Sequence, residues 1–327
     1  MTPQRRTHLE RLHSTDGYFG PDSLVRRVGN SPVTPFLGGG ASVLLQVAHP
    51  LVACGVADHS GYDRDLWRRL ARTLRALYLI AFGDRGEAEH AGAVVRAVHA
   101  RVHGTTRERL GPFPTGTTYS ASDPELMLWV HATLVHSSLA AYERFHRPLT
   151  PEERERYHGE MSLVARLFGT PADVLPRTYR EFRAYFDSMV RSRTITVTPP
   201  AQAIADVILA APLPAPVRLL APAHRLATAH ILPAELRDEY GLRWTPLHEL
   251  ALPFAGATVR YGTAPVLGVA GRLMRFGEAS GREGTSSPPR RRRGAAASSG
   301  SPPRRERARS RGRGGRSTER AGRDTSR

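Results

Sequence analysis

The run LWRRLARTLRALYLIAFGDRGEAEHAGAVVRAVHARVHG, residues 66–104, decides how this chain is read. Apolar residues recur three and four apart on both sides of Phe82-Gly83-Asp84-Arg85-Gly86. That spacing predicts two amphipathic helices within 63–103, joined by a glycine-flanked turn. On the first helix Arg69, Arg72 and Thr73 share a face; on the second, Arg96, His99 and His103 do. Cations on an apolar helix pair are costly to bury unless an anion compensates. Cationic faces beside a histidine therefore suit a buried anionic cofactor with a metal at its centre. The competing reading turns the arginines to solvent or pairs them with Asp58, Asp63 or Asp65.

Further helices follow outward from this pair. Pro21 opens a helix at 21–28, with proline acceptable in a first turn. An apolar stretch over 35–47 begins at Gly38-Gly39-Gly40, breaks at His49-Pro50 and resumes over 51–57. The triple glycine lacks the Lys-Ser/Thr of a phosphate loop, so it is read as permitting close helix packing or a bend. Residues 104–122, dense in Gly, Pro and Thr, are expected to be a long loop. Asp123-Pro124-Glu125 opens the most apolar helix of the chain, to about residue 145. Thr150-Pro151-Glu152-Glu153 is a capping box opening the next, to about 168. Helices are also expected at 179–190, 201–210, 215–230, 233–239 and 246–275, with a short extended piece at 194–198. No strand alternation and no internal repeat emerges.

The chain has 327 residues, 40% of them hydrophobic, which is enough for one large domain with a sizeable core. The net charge of +17 is unevenly spread: residues 276–327 hold fifteen Arg against five acids and so carry +10 of it. Every one of the 47 basic residues is Arg. Such uniform arginine use, with abundant Ala, Gly and Pro, points to a GC-rich coding sequence, and the charge does not by itself specify a nucleic-acid partner. The single cysteine, Cys54, excludes an internal disulfide and any multi-cysteine metal centre. No signal-peptide pattern opens the chain and no clean apolar span reaches about 20 residues. The expected compartment is therefore cytoplasmic, with no transmembrane segment.

These observations predict an all-α fold: a lead-in over 1–19, a single multi-helix, globin-like bundle domain over 20–276, and a disordered Arg/Gly/Ser/Pro-rich tail over 277–327. The tail has too little apolar surface to offset its ordering entropy and is expected to be dispensable for folding.

Fourteen histidines leave many candidate ligands. His99 and His103, at i and i+4, have a zinc-clamp spacing but lack the glutamate of an HExxH motif. His131 and His136 point about 140° apart on a helix and do not converge. Most of the others suit structural or surface roles.

Six segments narrow the choice: GPDSLVRRVG (20–29), LLQVAHPLVACGVADHS (44–60), WRRLARTLRALYLIAFG (67–83), VRAVHARVHG (95–104), DPELMLWVHATLVHSSLAAYERF (123–145) and YGLRWTP (240–246). In this order they resemble the MpaB-type oxygenase family, which includes the rubber-cleaving latex clearing proteins. The resemblance implies an all-helical domain holding haem b non-covalently. It implies His99 as the proximal iron ligand, within an Arg-x-x-His pattern that makes Arg96 its partner. Arg69, Arg72 and Thr73 are then placed near the distal side and haem edge, Arg72 and Thr73 in catalytic roles and Arg69 with Arg96 facing the propionates. His131, in Trp129-Val130-His131, is implied as a supporting residue of the cofactor site. The implied reaction adds O2 to a hydrophobic, isoprenoid-like alkene or cleaves its double bond. The chain departs from the family at Arg72, where rubber-cleaving members carry Lys; arginine stays protonated and ligates metals poorly. Asp58, His59 and Asp63 are the candidates near the position of the family's glutamate base. The alternative is a haem-free helical protein that binds an anionic, lipid-like ligand through the same arginines.

Overall fold

The computed structural model describes residues 15–31, 34–59, 66–210 and 220–259, without the side chains of 66–70. Side-chain caps start five of its helices. Helix α1 (Leu24–Gly29) begins where the Ser23 side chain accepts from the Arg26 amide. A π-helical turn, Thr34–Gly38, leads into α2 (Gly39–Val47), and α3 (Pro50–His59) follows at a bend of 106°. The bend falls at His49-Pro50, where proline removes a backbone donor. Helices α4 (Leu66–Phe82) and α5 (Arg85–His99) form the expected hairpin. Asp84 and Glu87 build a capping box that starts α5, satisfying two amides that the helix leaves open.

The loop expected at 104–122 instead contains a small antiparallel hairpin, β1 (His103–Thr105) with β2 (Thr118–Ser120), in which Gly104 faces Tyr119. It is the only sheet among the described residues. The extended piece expected at 194–198 does not form a strand. Helix α6 (Pro124–Phe145) starts on Asp123, whose carboxylate accepts from the amides of Glu125 and Leu126. Helix α7 (Pro151–Phe168) starts on the Thr150–Glu153 box and stops at Gly169, whose φ of +102° suits a residue without a Cβ. Helices α8 (Tyr179–Arg191), α9 (Pro199–Ala210), α10 (Ala221–Ile231), α11 (Ala234–Glu239) and α12 (246–259) complete the all-α fold. The start expected for α10 at 215, the continuation of α12 to 275 and the tail 277–327 lie outside the described residues.

The core forms around α6, which buries residues on every side of its first half. Trp129 is fully buried, donates from its indole to the Leu45 carbonyl at 3.1 Å and stacks on Phe186 at 5.7 Å. The triple glycine does serve close packing. A Cβ on Gly38 would come 2.8 Å from the Ser137 carbonyl, and one on Gly40 would come 2.8 Å from the His224 ring. Arg26, only 2% exposed, is a buried guanidinium that the pattern LVRRVG did not distinguish from its neighbour Arg27. Its Nε donates to the Ala81 carbonyl at 2.9 Å and its head lies over the Phe82 ring, so it caps the C-terminal end of α4. Among the described residues no single helix is long and apolar enough to cross a membrane.

Candidate functional site

The turn at Gly83-Asp84 folds α5 back along α4, so the first turns of α4 lie at the same end of the hairpin as the last turns of α5. That end carries Arg72 and Thr73 on α4 and Arg96 and His99 on α5, with the backbone of Arg69 one turn before Arg72; the side chain of Arg69 lies outside the described residues. Arg72 and Thr73 are exposed.

Arg96 is also an exposed residue, yet its Nη1 donates to the carbonyl of Leu167 at the end of α7. Its stem lies against Gly169, where a Cβ would sit 2.9 Å from Cδ. The anion that the sequence argument demanded for Arg96 is thus matched in part by a helix C-terminus, whose carbonyls carry partial negative charge.

His99 stands in the last turn of α5, half-buried, and burial pushes its imidazole below the ordinary histidine range. A neutral ring is the ligating form. Its Nδ1 is buried with no hydrogen-bond partner among the described residues. The backbone carbonyl that second-sphere chemistry would place against a ligating imidazole is not found there. His103, the rival one turn on, is exposed on β1 and follows the end of the helix.

His131 lies in the core on α6. It is 6% exposed and is pushed down to about 3, by burial first and by the neighbouring His158 second. His158, on α7, bonds through Nε2 to the Pro176 carbonyl at 3.0 Å. His131 Nε2 and His158 Nδ1 have no hydrogen-bond partner among the described residues.

A polar cluster lies beyond the end of α5, where the β1–β2 hairpin meets α3. The Tyr119 hydroxyl donates to Asp58 Oδ2 at 2.7 Å, and Arg107 approaches Asp58 Oδ1 at 3.5 Å. His59 Nε2 lies 3.1 Å from the His103 carbonyl and 3.4 Å from the Tyr119 hydroxyl. Burial and the bond to Asp58 push the Tyr119 phenol well above the ordinary tyrosine range, so it remains a donor. Asp58 and His59 were visible as candidates in the sequence, whereas Tyr119 was hidden in a stretch read as loop. Asp63 lies outside the described residues.

Residues 26–261, well over half the chain, match the model of the family described as ER-bound oxygenase mpaB/B'/rubber oxygenase, catalytic domain. The chain belongs to this family. Membership makes it part of an oxygenase family and agrees with the helical fold. An uncharacterised protein of Mycobacterium bovis and one of Mycobacterium tuberculosis are each 24% identical over 210 residues, covering 63% of this chain and 79% of theirs. A structure of latex clearing protein in the closed state superposes with a TM-score of 0.53 at 20% identity, covering 73% of this chain and 66% of that one, just under two thirds of its length. At that identity the likeness establishes the family's fold, and the roles of individual residues rest on the geometry above.

The donor chemistry at the hairpin suits the haem that the sequence reading expected. Among the described residues no three His, Cys, Asp or Glu side chains converge as a metal site. A porphyrin supplies four nitrogens of its own, so one neutral imidazole with an unpartnered nitrogen meets the protein's share. Exposed Val94 and Val98 add apolar surface on the same helix. The open crevice of about 380 Å³ near Tyr18, Pro21, Arg156 and Arg166 is lined by none of these residues.

Proposed function

We propose that the chain is a haem b-dependent oxygenase that adds O2 to a hydrophobic, isoprenoid-like alkene or oxidatively cleaves its double bond, with His99 as the residue that would hold the iron. The observation that carries this reading is His99 itself: a partly buried, neutral imidazole with an unpartnered Nδ1, at the cationic end of a hairpin in an oxygenase-family chain. Haem, when bound, supplies the iron that activates O2. The protein's part is positional and electrostatic. His99 would hold the iron. Arg69 and Arg72 at the start of α4, with the part of the Arg96 fork not committed to Leu167, would neutralise the propionates and any negative charge that develops on oxygen. Thr73 offers a hydroxyl donor beside them. Val94, Val98 and the apolar faces of α4 would receive the hydrocarbon and exclude water.

The test is the absorption spectrum of the purified chain, as isolated and after titration with hemin. A Soret band saturating at one haem per chain supports the reading. A chain that takes up no haem, yet retains anionic amphiphiles through Arg72 and Arg96, would replace it with lipid binding.

A further inference from the structure

We propose that Tyr119 is a positioning residue of this site: with Asp58 and His59 it forms a clasp that holds the last turn of α5, and with it His99, against the end of α3. The inference rests on the site reading above and adds a device that the sequence did not show.

Tyr119 sits where three segments meet. Its hydroxyl donates to Asp58 on the last turn of α3 at 2.7 Å. His59, the next residue, donates through Nε2 to the His103 carbonyl at 3.1 Å and lies 3.4 Å from the same hydroxyl. His103 begins β1 only four residues after His99, and the intervening turn is tied down by Val102 N–H to His99 O and by Ala121 N–H to Val102 O, at 3.0 and 2.8 Å. Val102 also packs on Gly55 of α3, where a Cβ would come 3.4 Å from it. The phenol is therefore linked, through His59, to the His103 end of the turn that follows His99.

The fit is close. Tyr119 is 5% exposed, and its ring covers Gly104, its partner in the hairpin. Any side chain on Gly104 would place a Cβ 2.6 Å from the Tyr119 hydroxyl. The bond to Asp58 is charge-assisted; its donor end is buried with Tyr119, while the Asp58 side chain is 31% exposed. The Arg107 contact is different, because that side chain is 86% exposed and its ion pair is screened. Tyr119 and Asp58 carry the clasp, and Arg107 does not.

A clasp and a proton-transfer pair make opposite demands on Asp58. A clasp needs only an acceptor for the phenol proton, and an amide oxygen serves. A proton acceptor needs the carboxylate. The experiment is amide hydrogen exchange and ring ¹⁵N NMR of His99 on the haem-free full chain, for wild type, Tyr119→Phe, Asp58→Ala and Asp58→Asn. Tyr119→Phe and Asp58→Ala should speed exchange at Val102 and Ala121 about tenfold, the size of one lost hydrogen bond to a charged group, and shift the His99 resonances. Amides in α6 should keep their wild-type rates, which separates a local clasp from general loss of stability. Asp58→Asn should keep most of the wild-type protection in both measurements, losing only the charge-assisted share of the bond. Unchanged exchange in Tyr119→Phe and Asp58→Ala would overturn the proposal, as would uniform acceleration across the chain. An Asp58→Asn variant that behaves like Asp58→Ala would overturn it too, making the charge the essential feature. All readouts are taken without haem, so a chain that binds no haem refutes the oxygenase reading and leaves this test intact.

Discussion

Mild acid should destabilise this fold, and the cause lies in its buried histidines. His49 and His131 are 5% and 6% exposed, and burial holds them down to about 4 and about 3. In the unfolded chain both take up a proton as the pH falls through about 6.5. The folded chain refuses that proton until the pH reaches the lower values, so the unfolded state binds more protons throughout the interval. Stability that is complete above about pH 6.5 is then lost down to about 4 for His49 and about 3 for His131. At about 1.4 kcal/mol per pH unit, each residue costs about 2 kcal/mol by pH 5, and the two together about 4 kcal/mol. Set against a typical domain stability of about 5–15 kcal/mol, that is a large fraction. His136, also pushed down to about 4 by burial, acts in the same direction. Carboxylates do not confuse the interval: Glu153, held down to about 2 first by its bond to Arg147, loses its contribution only below about pH 4.5. The assay is urea unfolding of the haem-free chain at pH 7.5, 6 and 5, for wild type and His131→Gln. With His136 counted beside them, wild type should lose about 6 kcal/mol over that range and the variant about two thirds as much, whatever its absolute stability. Equal stability at pH 7.5 and pH 5 would refute the reasoning, since it would mean the buried rings are protonated in place or reached by water.

Three further outcomes follow from the packing. Trp129→Ala removes the indole stacked on Phe186 and its bond to Leu45, and should cost about 3–5 kcal/mol in urea unfolding. Gly40→Ala forces a methyl against Thr228 and His224 where α2 meets α10, and should destabilise by at least about 1–3 kcal/mol; a neutral result would show that α10 can withdraw. Arg96→Gln gives up the bond to Leu167 and should lower thermal stability slightly while reducing haem affinity more, read by hemin titration beside the melting curve.

The helices were legible because their signals are local. Asp123-Pro124-Glu125 and Thr150 with Glu153 start α6 and α7 through atoms no more than three residues apart. The β1–β2 hairpin was not legible, since two three-residue strands carry no alternation and pair only through the loop between them. Tyr119 was lost for the same reason: its bond to Asp58 spans 61 residues and depends on that register. His99 could be picked out by helical spacing and family pattern together. The partner of Arg96 could not, because a carbonyl at the end of α7 satisfies a guanidinium without leaving any charge in the sequence to find. The buried Arg26 was likewise indistinguishable from the exposed Arg27 until the Ala81 carbonyl, 55 residues on, was in place.

The central claim is that His99 holds a haem iron, and the most direct test compares His99→Ala, His103→Ala and His131→Ala by absorption and resonance Raman spectroscopy after hemin reconstitution. The account predicts that only His99→Ala loses the iron–histidine signature and most of the bound haem, with added imidazole restoring part of it. His103→Ala should match wild type. His131→Ala should keep the signature, since its ring lies in the core beside His158. A His99→Ala chain with a normal spectrum, alongside a His131→Ala chain that has lost its haem, would contradict the account and move the cofactor to α6.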